Sequence, residues 1–546
     1  AVVLAANWAQ TRRAAPLDVG ALAALREQLA AQPGQERLRD QIRELDLLAR
    51  RAYFSSVDFA RAGARLLLFW SALLAAALSF LELLRPPQPA PGKYAGPDER
   101  ALRSRRRARC AVAAGAAALA VGAWALSRSV ERGQYALPPA PAASAPARPP
   151  PTAPVSRAEL RRHWPAFRGP DGIGVAYTTN PPTAWNAATG AGVLWKAAVP
   201  RPGFSSPVVW SNRVVVTGAD AQTREVYAFD ADTGRLVWRH AVAGIPGSPA
   251  EPPEVAADTG YAASTPATDG RRLFAIFATG DLVALDLDGR RLWARNLGVP
   301  DNPYGHASSL LVYEDLLLVQ YDHRAAAQLL GLDAATGQER WKAPRSGPAW
   351  GSPICVDTGL RTEAVLTSCA TLDAYDPRTG RRLWSYPCFN AEVGTSAAWA
   401  DGLFFAVNEY GAAYAFEPGA AVESSTEKAV WTYEDDLPDV ASPVAAAGYV
   451  FLASSHGVLT CLDAETGRRL WRQEFEEGFY ASPIVAGGAV FALDRQGRMR
   501  AARLADEYQP CGAGELGEAA VATPAFVGRR LYLRGAGHLV CVEAAR

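Results

Sequence analysis

Four copies of one short pattern decide the fold: AFDADTGRLVW at 228–238, GLDAATGQERW at 331–341, AYDPRTGRRLW at 374–384 and CLDAETGRRLW at 461–471. In each copy an Asp lies eight residues, and a Gly four residues, before a closing Trp. Apolar residues alternate in the first half, as in a strand, and Asp, Thr and Gly are the residues that a tight turn requires. The pattern therefore predicts a hairpin whose returning strand carries a large aromatic surface to bury.

The closing tryptophans recur at a spacing typical of four-stranded units. A shortened copy, ALDLDGRRLW, ends at Trp293, and degenerate copies end at Trp195 and Trp431. Repeats of about 40 to 55 residues are the lengths that propeller blades need. Truncating one such Trp side chain in a packed interface lowers the free energy of unfolding by about 3–5 kcal/mol. We assign a structural role, docking between neighbouring units, to Trp195, Trp238, Trp293, Trp341, Trp384, Trp431 and Trp471.

A second element opens each unit with Ser or Thr, followed in most copies by Pro and then by a short apolar strand. Its copies are Ser206-Pro207, Thr265-Pro266, Ser308-Ser309, Ser352-Pro353, Ser396-Ala397, Ser442-Pro443, Ser482-Pro483 and Thr523-Pro524. Eight units with no helical pattern between them predict an all-β, closed, eight-bladed propeller. The last unit shows three strands, while 193–199 has no partner at the start. We expect this N-terminal strand to complete the last blade, which removes an exposed edge.

The region before the repeats predicts a membrane anchor. Residues 17–62 carry two apolar stripes separated by Pro33-Gly34, which indicate an amphipathic helical hairpin. The apolar runs 66–84 and 110–126 are long enough to span a bilayer; a buried soluble hairpin is the alternative. The loop 85–109 between them carries seven Arg and one Lys, which predicts that it faces the cytoplasm. The resulting domains are 1–62 with the hairpin, 63–128 with two transmembrane helices, a Pro/Ala-rich linker at 129–158, and the propeller at 159–546.

Composition excludes several classes of protein. The 546 residues are 49% hydrophobic and 20% charged, which excludes a wholly disordered chain. The formal net charge of +1 provides no electrostatic footprint for nucleic acid. Seven Cys without any CxxC pattern argue against zinc ribbons and thioredoxin-like chemistry. A disulfide such as Cys355–Cys369 and buried free thiols both remain open.

The repeated pattern resembles that of the pyrroloquinoline quinone (PQQ)-like β-propeller family. The motif Ala-x-Asp-x-x-Thr-Gly-x-x-x-Trp is complete at 228–238 and 374–384, and the lead-in Trp164-Pro165-x-Phe167-Arg168-Gly169-Pro170-Asp171-Gly172 is similar to that of bacterial members. The resemblance covers about 160–546. It implies either a quinoprotein dehydrogenase, which binds PQQ and Ca²⁺ over the axis and oxidises alcohols or sugars, or a BamB-like propeller that binds proteins without a cofactor. Fold does not decide between them.

The resemblance also implies a membrane-tethered bacterial protein. Together with the basic loop, it predicts a location in the bacterial cytoplasmic membrane. The propeller and the N-terminal hairpin would then lie on the periplasmic side.

The residues that enter the innermost strands form the candidate ligand-binding site. Repeat symmetry would place them around the axis at one face, where aromatic rings and a carboxylate could hold a flat ligand or a peptide side chain. Packing that plugs the channel is the alternative. They are Phe204, Tyr261, Tyr304, His306, Trp350, Glu392 and Tyr480.

No catalytic residue can be assigned. Asn390 and Glu392 are weak candidates for Ca²⁺ ligands, and no spacing indicates a nucleophile with its base. The sequence also has no adjacent Cys pair, which the dehydrogenases often place against the cofactor ring. We therefore predict a membrane-tethered binding or scaffolding module for a protein or small ligand, without a cofactor and without nucleic acid. The alternative is a PQQ- and Ca²⁺-dependent oxidoreductase.

Overall fold

The computed structural model describes residues 154–302, 304–324, 326–389, 391–419 and 429–544. Within these ranges the chain forms a short helix, α1 (Arg157–Leu160), a 3₁₀ turn (Pro170–Gly172) and eight sheets. Two strands come before the repeats, β1 (Ala184–Asn186) and β2 (Val193–Ala198). Both join sheets that form at the end of the chain.

The first four blades each contain four antiparallel strands, numbered outward from the axis. Blade 1 consists of β3 (Val208–Trp210), β4 (Arg213–Ala219), β5 (Arg224–Asp230) and β6 (Leu236–Ala241). Blade 2 consists of β7 (Ala267–Thr268), β8 (Arg272–Ile276), β9 (Asp281–Asp286) and β10 (Arg291–Asn296). Blade 3 consists of β11 (Leu311–Tyr313), β12 (Leu316–His323), β13 (Ala326–Asp333) and β14 (Glu339–Pro344). Blade 4 consists of β15 (Ile354–Asp357), β16 (Thr362–Thr367), β17 (Thr371–Tyr375) and β18 (Arg382–Pro387).

The remaining blades follow the same order. Blade 5 consists of β19 (Ala398–Ala400), β20 (Leu403–Val407), β21 (Ala413–Phe416) and β22 (Trp431–Tyr433). Blade 6 consists of β23 (Val444–Ala446), β24 (Tyr449–Ala453), β25 (Val458–Asp463) and β26 (Arg469–Glu474). Blade 7 consists of β27 (Ile484–Ala486), β28 (Ala489–Leu493), β29 (Arg498–Arg503) and β30 (Pro510–Glu515). Blade 8 contains β31 (Ala525–Val527), β32 (Arg530–Arg534) and β33 (His538–Glu543).

Blade 8 is completed by the N-terminal strand β2. This strand pairs antiparallel with β33, with Trp195 opposite Cys541, and gives the sheet order β2-β33-β32-β31. The prediction of an all-β propeller with eight blades is confirmed, and so is its closure by the strand at 193–198. Joining the two ends of the repeat in one sheet satisfies the backbone groups that an open edge would expose.

Blade 7 lacks a closing Trp on its own outer strand, and the strand β1 supplies one. β1 pairs parallel with β30, with Trp185 opposite Gly514, so the sheet has five strands. Trp185 is 5% exposed and shares an apolar cluster with Met499 of blade 7 and Val542 of blade 8. Its ring lies over Gly514, where a Cβ would approach the indole to 2.1 Å, so this position has no room for a side chain.

The repeated turn is held by its Asp and Gly. In blade 1, Asp230 Oδ1 accepts from the amides of Asp232 and Thr233, at 3.1 and 3.0 Å. The amide of Gly234 donates to the Asp230 carbonyl at 2.9 Å, and Gly234 has a φ of 70°, which a residue with a side chain rarely adopts. A register shift between Ala228 and Phe229 then brings Trp238 opposite Ala228.

The closing tryptophans contact the next blade in the ring. Six of the seven rings pack on a glycine of that blade, in five cases the glycine of the repeated turn; a Cβ at Gly234, for example, would lie 2.6 Å from Trp195. In five cases the indole nitrogen also donates to a backbone carbonyl there, at 2.9–3.0 Å. These bonds join Trp195 to Ala231, Trp238 to Leu287, Trp293 to Ala334, Trp431 to Ala464 and Trp471 to Ala505. The large, flat indole rings are thereby buried between sheets that share no strand.

Two closing tryptophans depart from that hydrogen-bond pattern. Trp384, 1% exposed, donates to Glu363 Oε2 of its own blade at 2.7 Å. Trp341 Nε1 is buried and has no hydrogen-bond partner among the described residues. Both rings still pack against the following blade, at Gly419 and Gly380 respectively.

The Ser/Thr positions form a ring of hydrogen bonds around the axis. In seven of the eight positions the amide donates to the hydroxyl of the equivalent residue in the next blade, at 2.7–3.1 Å. In the described chain the bonds run from Ser206 to Thr265, Thr265 to Ser309, Ser309 to Ser352, Ser352 to Ser396, Ser396 to Ser442, Ser442 to Ser482 and Ser482 to Thr523. We call these eight residues the hydroxyl ring. All eight are buried.

In blade 3 the sequence alone does not show which of two adjacent Ser residues belongs to the hydroxyl ring. The ring member is Ser309, whereas the repeat alignment began at Ser308. Ser308 instead accepts the Ser264 hydroxyl at its carbonyl, at 2.9 Å. Two adjacent Ser residues without the following Pro leave the register undetermined from the sequence.

The lead-in, residues 164–175, crosses the end of the axis at which the innermost strands finish. The amide of Trp164 donates to the Val209 carbonyl of blade 1 at 2.9 Å. Two blades away around the ring, the Val485 amide of blade 7 donates to the Gly174 carbonyl at 2.9 Å. The segment therefore ties together blades that are not sequential neighbours.

Arg168 is the buried centre of the lead-in. Its guanidinium donates to the carbonyls of Ala397 in blade 5, at 2.9 Å, of Ile173, at 3.1 Å, and of Pro443 in blade 6. Burial lowers the pKa of Arg168 to about 9, so the group is still a cation at neutral pH. A charged donor on carbonyls of two neighbouring blades is a strong link between the lead-in and the innermost strands.

Several predictions fall on residues outside the described ranges. The amphipathic hairpin at 17–62, the two apolar runs with the basic loop, and most of the linker are among these, as is Asn390. Of the helices that the structure does describe, none has the length and apolar character needed to cross a membrane. The cysteines of the propeller, Cys355 and Cys369 included, are free thiols.

A substitution at Ser442 tests the hydroxyl ring. Ser442→Ala removes the acceptor of the Ser396 amide and leaves that buried N–H unpaired, so the free energy of unfolding should fall by about 1–3 kcal/mol. Ser442→Thr is the matched control, because Thr265 and Thr523 already occupy equivalent positions, and it should keep most of the stability. Urea unfolding measures both. Equal stability of the Ala variant and the native protein would contradict the role of the ring.

Candidate functional site

A cavity opens on the axis at the face where the innermost strands begin. It has a volume of about 410 Å³, within the range of small-ligand sites. All eight members of the hydroxyl ring line it, and Phe167 of the lead-in reaches it. We call this cavity the axial funnel. Because its base consists of strands joined by hydrogen bonds, its shape is fixed by the fold.

Most of the residues predicted from repeat symmetry line the axial funnel. They are Phe204, Tyr304, Trp350, Glu392 and Tyr480. Tyr304 and Trp350 meet edge to face with ring centroids 5.1 Å apart. The Trp350 amide donates to the Val393 carbonyl at 2.9 Å, which fixes the start of blade 4 against the start of blade 5.

Tyr261 and His306 do not line the axial funnel. Tyr261 is half-buried and donates its hydroxyl to the Pro253 carbonyl at 3.0 Å, so its ring is held by a long loop before blade 2. His306 is 4% exposed and stacks on Tyr321 at 5.3 Å. Burial lowers the pKa of His306 to about 4, so the imidazole is neutral at physiological pH. Both residues support the blades beside the cavity.

Repeat symmetry missed part of the lining. The loop between β20 and β21 adds Asn408, Glu409 and Tyr410, and the loops before blades 2 and 6 add Asp258 and Asp439. The topology of the blade could have predicted that the loop carrying Asn408, Glu409 and Tyr410 lies at this face. In an antiparallel blade, the loop between the second and third strands lies at the face where the first strand begins. A search limited to residues before the Ser/Thr positions could not find it.

Asn408 organises one side of the mouth. Its Nδ2 donates to the Glu392 carbonyl at 2.8 Å, and its Oδ1 accepts from the Tyr410 amide at 2.7 Å. The side chain thus joins the entry of blade 5 to the exposed loop beside it. Tyr410 is 70% exposed, and Val440, on the entry to blade 6, is 42% exposed.

The lining of the axial funnel is negatively charged. Four carboxylates contribute to it, Asp258, Glu392, Glu409 and Asp439, while no Lys, Arg or His among the described residues does. Two arginines buried near the axis donate to protein oxygens. Arg168 donates to the carbonyls described above. Arg534 donates to the Ser205 carbonyl at 3.1 Å and to the Ser205 hydroxyl.

The described residues offer no evident metal cage. No three side chains among the His, Cys, Asp and Glu of these ranges lie close enough together to hold a metal ion. Glu392 lines the axial funnel, and its predicted companion Asn390 is outside the described ranges. The weak assignment of these two residues to Ca²⁺ stays a prediction.

The lining does not fit PQQ. This cofactor carries three carboxylates, so a site for it needs cationic donors on the cavity wall. The axial funnel presents acidic side chains instead, which would repel the cofactor. The described lining therefore offers the carboxylates of PQQ no cationic partner.

Comparison with protein families gives three overlapping matches to one model. The model, described as outer membrane protein assembly factor BamB, matches residues 155–302, 186–368 and 368–545. Among curated proteins, BamB of Burkholderia pseudomallei (strain K96243) is 29% identical over 203 residues. That alignment spans 35% of this chain and 46% of the relative, so the chain aligns with about half of the relative's length.

Solved structures share the fold at low sequence identity. The quinohemoprotein alcohol dehydrogenase of Comamonas testosteroni superimposes with a TM-score of 0.53 and 14% identity, covering 72% of this chain and 83% of that chain. BamB from Moraxella catarrhalis gives a TM-score of 0.49 and 16% identity, covering 65% and 97%. Likeness at this level of identity concerns the fold alone.

Titration with PQQ tests the chemistry of the lining. We expect the intact protein to show no saturable one-to-one heat with PQQ in the presence of Ca²⁺, because the carboxylates of cofactor and cavity repel each other. Isothermal titration calorimetry measures this. Tight one-to-one binding that Trp350→Ala abolishes would contradict the expectation and restore the oxidoreductase alternative.

Proposed function

The chain belongs to the family of the outer membrane protein assembly factor BamB, and from this premise we propose that its propeller is a non-catalytic binding module which holds a segment of a partner protein at the axial funnel. The observation that carries the proposal is the combination of an exposed apolar rim, formed by Tyr410 and Val440, with an aromatic wall formed by Tyr304 and Trp350. Aromatic side chains in a concave, rigid site are the usual anchors of protein recognition.

Rigidity of the base supports this proposal. Binding is tighter when the receptor does not have to be ordered first. The hydroxyl ring fixes the entries of the innermost strands by hydrogen bonds from blade to blade, and the lead-in joins blades across the axis. The axial funnel can therefore present its side chains without a change in the backbone.

The proposal includes the site of action and the absence of a cofactor. The apolar runs 66–84 and 110–126 and the basic loop between them support a tether in the cytoplasmic membrane, with the propeller on the periplasmic side. The acidic lining supports a module that works without PQQ. The sequence supports the tether, and the chemistry of the cavity lining supports the absence of a cofactor.

Photo-crosslinking at two matched positions tests the proposal. Tyr410 lies on the rim of the axial funnel and is 70% exposed. Leu360 is 74% exposed and lies in the turn after β15, on the opposite face of the propeller. A photoreactive side chain at 410, in cells that make the protein natively, should yield a discrete protein adduct, whereas one at 360 should not.

A second variant ties the adduct to the cavity. Trp350→Ala removes the centre of the aromatic wall and should abolish the adduct at position 410, while thermal unfolding stays cooperative. Adducts from both positions in equal amount, or an adduct at 410 that Trp350→Ala leaves unchanged, would refute the proposal.

A further inference from the structure

Two adjacent walls of the axial funnel differ in their chemistry. The entries of blades 3 and 4 contribute aromatic rings, Tyr304 and Trp350. The entries and loops of blades 5 and 6 contribute carboxylates, Glu392, Glu409 and Asp439. Because blade 4 is followed by blade 5 around the axis, the aromatic wall stands next to the acidic wall.

The acidic wall is a fixed part of the fold. Asn408 joins the Glu392 carbonyl to the Tyr410 amide, so Glu392 and Glu409 are held on neighbouring segments. Asp439 belongs to the next blade, and a Cβ added at Gly394 would come within 2.8 Å of its carbonyl oxygen. Residues of two blades are thereby packed backbone against backbone beneath three carboxylates.

Two polar atoms of these walls are unpaired. Trp350 Nε1 on the aromatic wall and Asp439 Oδ1 on the acidic wall are buried, and neither has a hydrogen-bond partner among the described residues. A buried polar atom without a partner costs free energy that a ligand can recover. The acceptor on Asp439 calls for a hydrogen-bond donor.

Basic side chains of the protein itself do not neutralise the acidic wall. His456 Nε2 approaches Glu409 Oε1 at 4.0 Å from an exposed position outside the cavity. Arg495 lies over the ring of Tyr480, with 5.2 Å between its guanidinium carbon and the ring centroid, on the side of blade 7. Glu392 and Asp439 have no ion pair with a described residue. The wall therefore keeps net negative charge facing the funnel.

We propose that the axial funnel receives an arginine side chain of the partner protein, with its guanidinium stacked on the aromatic wall and hydrogen-bonded to the acidic wall. This inference rests on the proposed function and names the chemical group that the funnel selects. A planar guanidinium can stack on an aromatic ring and donate in its own plane to carboxylates at the same time. An ammonium group carries the same charge but cannot form a bidentate pair.

Three blocked peptides distinguish charge from shape. The peptide Gly-Arg-Gly-Arg-Gly is titrated into the intact protein, together with its citrulline counterpart, which has the same shape without the charge, and its lysine counterpart. Isothermal titration calorimetry should show saturable binding of the arginine peptide, with the citrulline peptide weaker by about tenfold or more, as loss of charge-assisted hydrogen bonds requires. The lysine peptide should lie between them.

Isosteric variants locate the effect. Glu392→Gln combined with Glu409→Gln should weaken the arginine peptide by about tenfold and leave the citrulline peptide unchanged. Glu465→Gln is the matched control, because Glu465 is exposed in the turn between β25 and β26 and does not line the cavity. It should have no effect.

The outcomes separate this inference from the proposed function. If position 410 crosslinks to a partner but arginine and citrulline peptides bind equally or not at all, the arginine assignment is overturned and the binding module stands. If Glu465→Gln weakens binding as much as the pair in the cavity, the effect is one of overall charge and the assignment is again overturned. Absence of any adduct at 410 removes the proposed function itself.

Discussion

Amide-to-hydroxyl hydrogen bonds between neighbouring innermost strands are the constraint on which the propeller depends. Eight sheets that share no strand are held together farther from the axis by side chains, through the packed tryptophans and their indole hydrogen bonds. Each bond, such as that from the Ser396 amide to the Ser442 hydroxyl, links two sheets where they are closest. A Pro follows in most copies and has no N–H to satisfy. Small hydroxyl residues are required because every blade converges there.

The hydroxyl ring also forms the fixed base of the candidate binding site. One end of the axis is closed by the lead-in, with Arg168 bonded to carbonyls of blades 5 and 6. The other end remains open as the axial funnel, and the ring residues form its base. Function therefore depends on side chains that stand on a fixed frame. Catalysis through PQQ would need cationic donors in this position, whereas the chain places carboxylates and aromatic rings there.

The fold could be predicted because its determinants are local and repeated. The turn around Asp230 and Gly234 needs particular residues at fixed spacing, and the spacing recurs with each blade. The funnel was only partly predictable. Trp350, Glu392 and Asp439 lie at equivalent places before a Ser of the repeat, but Tyr410 lies on the loop between β20 and β21, which the repeat does not specify. His306 follows the repeat by position and is buried against Tyr321. The role of Arg168 had no periodic signal, because the lead-in occurs once.

Hydrogen–deuterium exchange on the intact protein tests the central claim, that the hydroxyl ring and the lead-in form one cooperative frame. Mass spectrometry would follow peptides that contain Ser396, Ser442 and Trp164. The account predicts that their amides exchange together and only through global unfolding, since each is bonded across blades. Exchange of the Trp164 segment through a separate, much faster local opening, while the ring stays protected, would contradict it.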